Sequence, residues 1–169
     1  RVMVIEVMGH KAGWIALHSG MAGGGDIILL PEIPFDIHRI GDAIINRLKK
    51  GKPYSIVVVA EGIPTIGGKK AAQYIAEEIE YETGFETRET VLGYIQRGGS
   101  PTAYDRNLAT RMGGHATELI AQGMFGRMVA LKGNAIESVP LSEVASKLKL
   151  VTEDHDLVVQ GRRMGICFG

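Results

Sequence analysis

Residues 55–62 read Ser-Ile-Val-Val-Val-Ala-Glu-Gly, a continuous apolar run that stops at a carboxylate and a glycine. A run of this length without polar alternation is typical of a parallel strand that is covered on both faces. Four further runs, rich in Val, Ile and Leu, are predicted to be strands: 2–7, 26–30, 87–92 and 128–132. Because longer segments of helical period separate these runs, the sequence predicts an α/β fold built on a parallel sheet.

Four segments carry apolar residues at helical spacing, which predicts helices at 11–22, 37–50, 68–82 and 102–122. Asp36 precedes the second helix as an N-cap, because its carboxylate can accept a hydrogen bond from a free amide of the first turn. Gly84 follows the third helix where a left-handed C-cap is needed, and Gly123 closes the fourth. From Ser138 onward the pattern is weak and predicts one short helix and a tail.

The composition fits one globular domain, with 169 residues of which 45% are hydrophobic. The 19 basic and 19 acidic residues balance, so no bulk field favours nucleic acid or an anionic membrane. The lone Cys167 cannot form an internal disulfide, and no apolar segment is long enough to cross a bilayer. We therefore predict a reducing, aqueous compartment, the cytoplasm. Because an apolar run begins directly after Arg1, we interpret the chain as part of a longer protein.

Polar residues follow three of the predicted strands, at the edge where parallel sheets bind ligands. Met8-Gly9-His10-Lys11 follows the first strand, where glycine lets a ligand approach the backbone; a plain strand-to-helix turn explains it equally well. Glu61 ends the run 55–60, where its carboxylate could accept hydrogen bonds from sugar hydroxyls. A solvated loop glutamate or a helix-capping one is the alternative for Glu61.

The loop 93–101, Gly-Tyr-Ile-Gln-Arg-Gly-Gly-Ser-Pro, leads directly into the predicted helix at 102. Glycine amides, a helix N-terminus and the Arg97 guanidinium together suit a phosphate. The alternative is an ordinary turn in which Gly98 and Gly99 reverse the chain and Arg97 is solvated.

The sequence holds neither a P-loop nor a G-x-S-x-G motif. Because its five histidines lack metal-ligand spacing, we predict no metal site in this chain.

Arg1 comes just before one predicted strand and Arg88 lies near the start of another, whereas the candidate ligand-binding residues Met8 and Arg97 come after these strands. Extended chain would separate Arg88 from Arg97 by about 30 Å and Arg1 from Met8 by about 23 Å. The two arginines are therefore predicted to lie at the opposite end of the sheet, where they would serve a site on another subunit or remain solvated charges.

These features together resemble the carboxyl-terminal half of a 6-phosphofructokinase. The resemblance covers about residues 1–135 and is most specific at 86–101, Glu-Thr-Arg-Glu-Thr-Val-Leu-Gly-Tyr-Ile-Gln-Arg-Gly-Gly-Ser-Pro. Further matching stretches are 1–9, 13–17, 22–24, 31–33 and 57–62. The resemblance implies a Rossmann-like phosphofructokinase fold, of which residues 1–95 are part of the sugar-phosphate domain, 96–150 return to the donor domain, and 151–169 are a carboxyl-terminal tail.

The resemblance also implies phosphoryl transfer to fructose 6-phosphate, giving fructose 1,6-bisphosphate in glycolysis. It implies that the substrate is held by the following residues: Met8, Gly9, His10, Glu61, Tyr94, Ile95, Gln96 and Arg97. Arg1 and Arg88 would cross to a neighbouring subunit's substrate phosphate, which implies a homodimer or homotetramer. The catalytic base and the residues that hold Mg²⁺ would precede Arg1, so the isolated chain is expected to be inactive.

Two positions depart from many ATP-dependent bacterial members, since this chain has His10 and Tyr94 where they have arginine and histidine. These residues resemble the mixed-substrate subgroup, which leaves pyrophosphate as the alternative donor to ATP. The bacterial ADP/phosphoenolpyruvate effector site has partial matches in Glu32, Lys50 and Lys52, whereas Tyr54 replaces a residue that is commonly basic.

Two other function classes compete with the kinase hypothesis. A noncatalytic sugar-phosphate-binding regulatory subunit would keep the fold and lack the upstream base. A nicotinamide-dependent oxidoreductase is disfavoured, because no predicted strand is followed by G-x-G-x-x-G.

Overall fold

The structure, a computed structural model, describes residues 1–169. In chain order its elements are β1 (Val2–Val7), α1 (Trp14–Ala22), β2 (Ile27–Leu29), α2 (Ile37–Lys49), β3 (Ser55–Ala60), α3 (Ala71–Thr83), β4 (Thr87–Val91), a 3-10 turn (Ile95–Gly98), α4 (Ala103–Ala121), β5 (Arg127–Lys132), β6 (Ala135–Pro140), α5 (Leu141–Val144) and α6 (Asp156–Arg163). No helix is long and apolar enough to cross a membrane.

A four-stranded parallel sheet in the order β2-β3-β1-β4 forms the centre of the fold. Every residue of β3 from Val57 to Ala60 is buried, which is the burial that its unbroken apolar run predicts. The predicted α/β class and parallel sheet are confirmed. Because β1 lies between β3 and β4, the carboxyl ends of these three strands are neighbours.

Helices α2 and α3 pack against each other beside the sheet, each through an apolar face. Asp36 caps α2, its Oδ1 accepting a hydrogen bond from the His38 amide at 2.9 Å. The C-cap of α3 is Gly84 at φ +69°, a left-handed conformation that glycine adopts without strain. Both caps were predicted from the sequence. Each fully buried isoleucine of these faces, such as Ile40 and Ile75, contributes about 1.5–3 kcal/mol.

A histidine–glutamate contact joins α2 to α3 at the surface, with His38 Nδ1 2.8 Å from Glu82 Oε1. The Glu82 carboxylate raises the pKa of His38 above its ordinary value of 6.5. Because the folded-state pKa is raised, the contact between His38 and Glu82 stabilises the folded protein. This contribution is fully present at pH values below the unfolded-state pKa and is lost as the pH rises through the folded-state pKa. We expect NMR titration of His38 to give a midpoint above 6.5 that falls toward 6.5 in Glu82→Gln. Equal midpoints in the two proteins would contradict the contact.

Two strand predictions need correction. Strand β4 is an edge strand in which only Thr87 is buried; its consecutive residues Arg88, Glu89 and Thr90 are exposed, so the strand is not covered on both faces. Strand β5 does not join the parallel sheet; it pairs with β6 as an antiparallel hairpin, since the left-handed Gly133 at φ +60° reverses the chain after Lys132.

The chain forms two compact units: Arg1–Ile95 with Lys149–Gly169, and Gln96–Leu148. Where the sequence predicted one short helix and a tail, the structure has β6, α5 and α6, and the final segment contributes to the core of the first unit. Val151, Val158 and Phe168 are buried there, and the Trp14 indole donates a hydrogen bond to the Lys149 carbonyl at 2.7 Å. The assignment of these units to a substrate domain and a donor domain stays a prediction.

Helix α4 is the main element of the second unit. Thr102 and Asp105 form a capping box at its start, in which the Thr102 amide donates to Asp105 Oδ2 at 2.8 Å and the Asp105 amide donates to Thr102 Oγ1 at 3.3 Å. The Thr102 hydroxyl also donates to Asp105 Oδ2, at 2.7 Å, and this bond, followed by the one from the Thr102 amide, lowers the pKa of the Asp105 carboxyl. The β5–β6 hairpin packs on this helix.

Candidate functional site

The site lies where β1, β3 and β4 end at the same edge of the parallel sheet. Strand β1 runs into the turn of residues 8–11, and β3 runs into Glu61 and Gly62. Strand β4 leads through Leu92, whose amide donates to the Glu6 carbonyl at 3.1 Å, toward Tyr94. Parallel pairing of β1 with both neighbours therefore brings together three strand ends that the sequence singled out.

Glu61 connects two of these strand ends. Its Oε1 accepts hydrogen bonds from the Gly9 amide at 3.0 Å and the His10 amide at 2.7 Å. No protein donor reaches its Oε2, and the side chain is exposed. One carboxylate oxygen thus fixes the turn after β1, and the other is free to accept a hydrogen bond from a ligand.

The turn of residues 8–11 is tight and depends on two glycines. Gly9 has φ +153°, and a Cβ there would lie 2.5 Å from the Ala12 carbonyl oxygen. His10 follows in the left-handed region at φ +54°, which is uncommon for a residue other than glycine. At Gly62 a Cβ would lie only 2.0 Å from the His10 carbonyl oxygen, so the backbones after β1 and β3 touch there.

A recess of about 250 Å³ opens beside Glu61. Its lining includes Glu6, Met8, Glu61, Lys70, Gly93 and Tyr94. A wider opening continues past His10 and Lys11. By contrast, a cavity at the amino end of the sheet beside Arg1 measures about 40 Å³, which holds a few waters and no sugar. The recess is therefore the ligand-sized space that the predicted residues share.

The loop after β4 enters the recess at Tyr94, a residue that is 78% exposed. Ile95, Gln96 and Arg97 follow in the 3-10 turn, all three exposed. Gln96 and Arg97 belong to the second compact unit, so their contact with a ligand in the recess stays a prediction.

Arg1 and Arg88 lie at the amino ends of β1 and β4, as their positions in the sequence predicted. Both bind the same carboxylate: Arg1 Nε lies 3.4 Å from Glu86 Oε2, and Arg88 donates to Glu86 Oε1 at 2.6 and 3.0 Å. The hydrogen bond and charge of Arg88, with the charge of Arg1, lower the pKa of the Glu86 carboxyl. The length of β1 separates the two exposed guanidiniums from the recess of their own chain by about 20 Å.

The three residues assigned to an effector site do not share one set of contacts. Glu32 Oε1 accepts hydrogen bonds from the Gly13 amide at 2.9 Å and the Val151 amide at 3.0 Å. Lys50 is the C-cap of α2, and Lys52 lines a separate surface groove beside Asp26. The effector assignment stays a prediction, and Glu32 has a structural role of its own in joining α1 to the final segment.

We expect Glu32→Ala to lower the free energy of unfolding by about 2–4 kcal/mol, because two partly buried amides lose their acceptor. Glu32→Gln keeps an acceptor oxygen and should lose less than half as much. Chemical denaturation of the full-length protein measures both changes. Wild-type stability in Glu32→Ala would show that these hydrogen bonds contribute nothing net.

Sequence reasoning missed two residues of this site, Glu6 and Lys70, which line the recess. Gly62 was singled out beside Glu61, but the contact that it allows between two strand ends was not predicted. A carboxylate inside the apolar run 2–7 was the available signal for Glu6. For Lys70 the sequence offered no signal, since its position depends on where α3 begins.

Taken together, the fold and the site define an α/β protein with a polar, ligand-sized recess at the carboxyl ends of a parallel sheet. The phosphofructokinase family model, described as Phosphofructokinase, matches residues 1–120. The ATP-dependent 6-phosphofructokinase 3 of Bacteroides thetaiotaomicron is 82% identical over 169 residues, covering 100% of this chain and 50% of that protein.

Two further comparisons agree. The ATP-dependent 6-phosphofructokinase of Spirochaeta thermophila is 50% identical, in a match that covers 100% of this chain and 51% of that protein. The crystal structure of a pyrophosphate-dependent phosphofructokinase from Marinobacter aquaeolei matches with a TM-score of 0.79 at 26% identity, covering 100% of this chain and 45% of that one. The chain belongs to the phosphofructokinase family, and it spans about half the length of the relatives it matches.

Proposed function

We propose that the full-length protein transfers a phosphoryl group from ATP to fructose 6-phosphate, and that this chain supplies the sugar-phosphate site. The observation that carries the proposal is the Glu61 carboxylate, one oxygen held by the Gly9 and His10 amides and the other free toward the recess. A carboxylate with one free oxygen suits the hydroxyl groups of a sugar. The 82% identity to a relative named ATP-dependent supports ATP as the donor.

The residues of the recess bind and orient the sugar. Glu61 Oε2 accepts a hydrogen bond from a sugar hydroxyl, and the turn at Met8 and Gly9 lets the ligand approach the backbone. Tyr94 and Arg97 hold the sugar's phosphate, with Ile95 and Gln96 shaping the turn between them. Fixing the acceptor in this way removes translational and rotational freedom that the reaction would otherwise have to remove.

Arg1 and Arg88 serve the site of a neighbouring subunit in a homodimer or homotetramer. Their exposed guanidiniums lie at the far end of the sheet from their own recess, and Glu86 holds the pair together. A bidentate guanidinium suits a sugar phosphate presented across a subunit boundary. The free thiol Cys167 supports a reducing compartment, the cytoplasm.

Mg²⁺ supplies charge neutralisation at the donor phosphates in phosphoryl transfer. The acidic residues of this chain do not fit that role. No three His, Cys, Asp or Glu side chains converge, and the two carboxylates of the recess are already bound to backbone amides. As the family resemblance implies, we assign the metal and the catalytic base to residues that precede this chain in the full-length protein, so that Glu61 orients the sugar and does not take its proton.

Turnover assays of the full-length protein test the proposal. Fructose 6-phosphate with MgATP should give fructose 1,6-bisphosphate, and the isolated chain should give none. Turnover with pyrophosphate and none with ATP would favour the second candidate, a pyrophosphate-dependent enzyme, which His10, Tyr94 and the Marinobacter relative support. Sugar-phosphate binding without turnover on either donor would indicate the noncatalytic regulatory subunit instead.

A further inference from the structure

We propose that Lys70 is a substrate-binding residue whose ammonium group contacts the phosphate carried by the sugar in the recess, an inference that rests on the proposed function. The recess contains two carboxylates, those of Glu6 and Glu61, and Lys70 is the one cationic side chain that lines it; Lys11 and Lys69 line only the wider opening beyond it. Two carboxylates repel a phosphate placed beside them, and a nearby cation offsets that repulsion. Lys70 supplies such a cation within the recess, in addition to Arg97 of the following turn.

The backbone at Lys70 is held in place by a buried hydrogen bond. Lys70 is the N-cap of α3, and the next two residues, Ala71 and Ala72, are 2% and 0% exposed. The Ala72 amide donates to Glu6 Oε2 at 2.8 Å, and Glu6 is itself only 7% exposed. Because β1 thus anchors the first turn of α3, the lysine stem begins from a fixed point in the wall of the recess.

The neighbouring lysine shows that the two ammonium groups differ in their contacts. Lys69 is bound to Glu77, a carboxylate that also accepts a hydrogen bond from Gln73 at 3.1 Å. The hydrogen bond from Lys69, ahead of that from Gln73, is the largest of the contributions that lower the pKa of Glu77. Lys70 has no carboxylate within 4.0 Å and makes no side-chain hydrogen bond at the helix start. Its three N–H donors are free for phosphate oxygens.

Calorimetric titration of fructose 6-phosphate into the full-length protein tests this contact. Lys70→Met keeps the stem and removes the charge, so we expect about tenfold weaker binding, the effect of losing one hydrogen bond to a charged group. Lys70→Arg should bind within about threefold of wild type, as a guanidinium also holds phosphate. The matched control Lys69→Met should change binding by less than about threefold, since its partner is Glu77. Added salt should narrow the gap between Lys70→Met and wild type.

The outcomes separate this proposal from the proposed function. Wild-type affinity in Lys70→Met, or an equal loss in Lys69→Met, would overturn the role of Lys70 while the substrate assignment stands. A wild-type protein that binds no fructose 6-phosphate would overturn the substrate assignment, and the role of Lys70 with it. Selective loss in Lys70→Met, with recovery in Lys70→Arg, supports the contact.

Discussion

Gly62→Ala should lower kcat/KM for fructose 6-phosphate by about 100-fold or more, the cost of moving a positioning group by about an ångström. The added Cβ would lie 2.0 Å from the His10 carbonyl oxygen, which is backbone and cannot rotate away as a flexible side chain would. Either the turn of residues 8–11 or the end of β3 has to move. In both cases Glu61 loses its alignment with the Gly9 and His10 amides.

A matched control separates this effect from the general cost of replacing glycine. Gly113 lies within α4, and a Cβ added there would meet no heavy atom within 4 Å, so Gly113→Ala should be neutral or slightly stabilising. Steady-state kinetics and thermal denaturation of both variants make the comparison. If Gly62→Ala retained wild-type kcat/KM, the close contact between the two strand ends would not be a requirement of the site.

The second large effect is expected at Glu61. Glu61→Ala removes the acceptor from two backbone amides and the free oxygen that faces the sugar, so kcat/KM should fall by about 100-fold, or about 3 kcal/mol. Glu61→Gln keeps one acceptor oxygen for the Gly9 and His10 amides and should lose less. The comparison between the two variants divides the loss between the turn and the sugar hydroxyl.

The control for Glu61 is an acidic residue outside the recess. Glu80 is exposed on α3 and makes no ion pair, so Glu80→Ala should keep wild-type kinetics. Equal losses in Glu61→Gln and Glu61→Ala would place the whole effect on the carboxylate's charge or free oxygen. Wild-type kinetics in Glu61→Ala would remove Glu61 from the site altogether.

Much of the first unit could be predicted from the sequence because most residues of β1, β2 and β3 are buried. The runs at 2–7 and 55–60 matched β1 and β3 residue for residue, since a mainly apolar run bounded by polar or turn residues indicates where a strand begins and ends. The run at 128–132 had a similar composition but pairs with β6, a strand that the weak pattern after Ser138 concealed. Composition alone does not distinguish a parallel core strand from one arm of a hairpin.

The site could be predicted in outline because polar residues at strand ends converge wherever parallel strands are adjacent. The order β2-β3-β1-β4 was not available from the sequence, and this order places Glu61 beside Gly9 and His10. Contacts between distant segments were likewise beyond prediction. The Glu6–Ala72 hydrogen bond spans 66 residues and the Glu32–Val151 hydrogen bond spans 119.

We propose that the recess beside Glu61 holds the sugar of fructose 6-phosphate, and a crystal structure of the full-length protein with fructose 6-phosphate would show where the sugar binds. We predict that Glu61 Oε2 lies within hydrogen-bonding distance of a sugar hydroxyl, with Oε1 still on the Gly9 and His10 amides. A sugar bound elsewhere, with the recess filled only by solvent, would show that Glu61 and its recess do not form the substrate site.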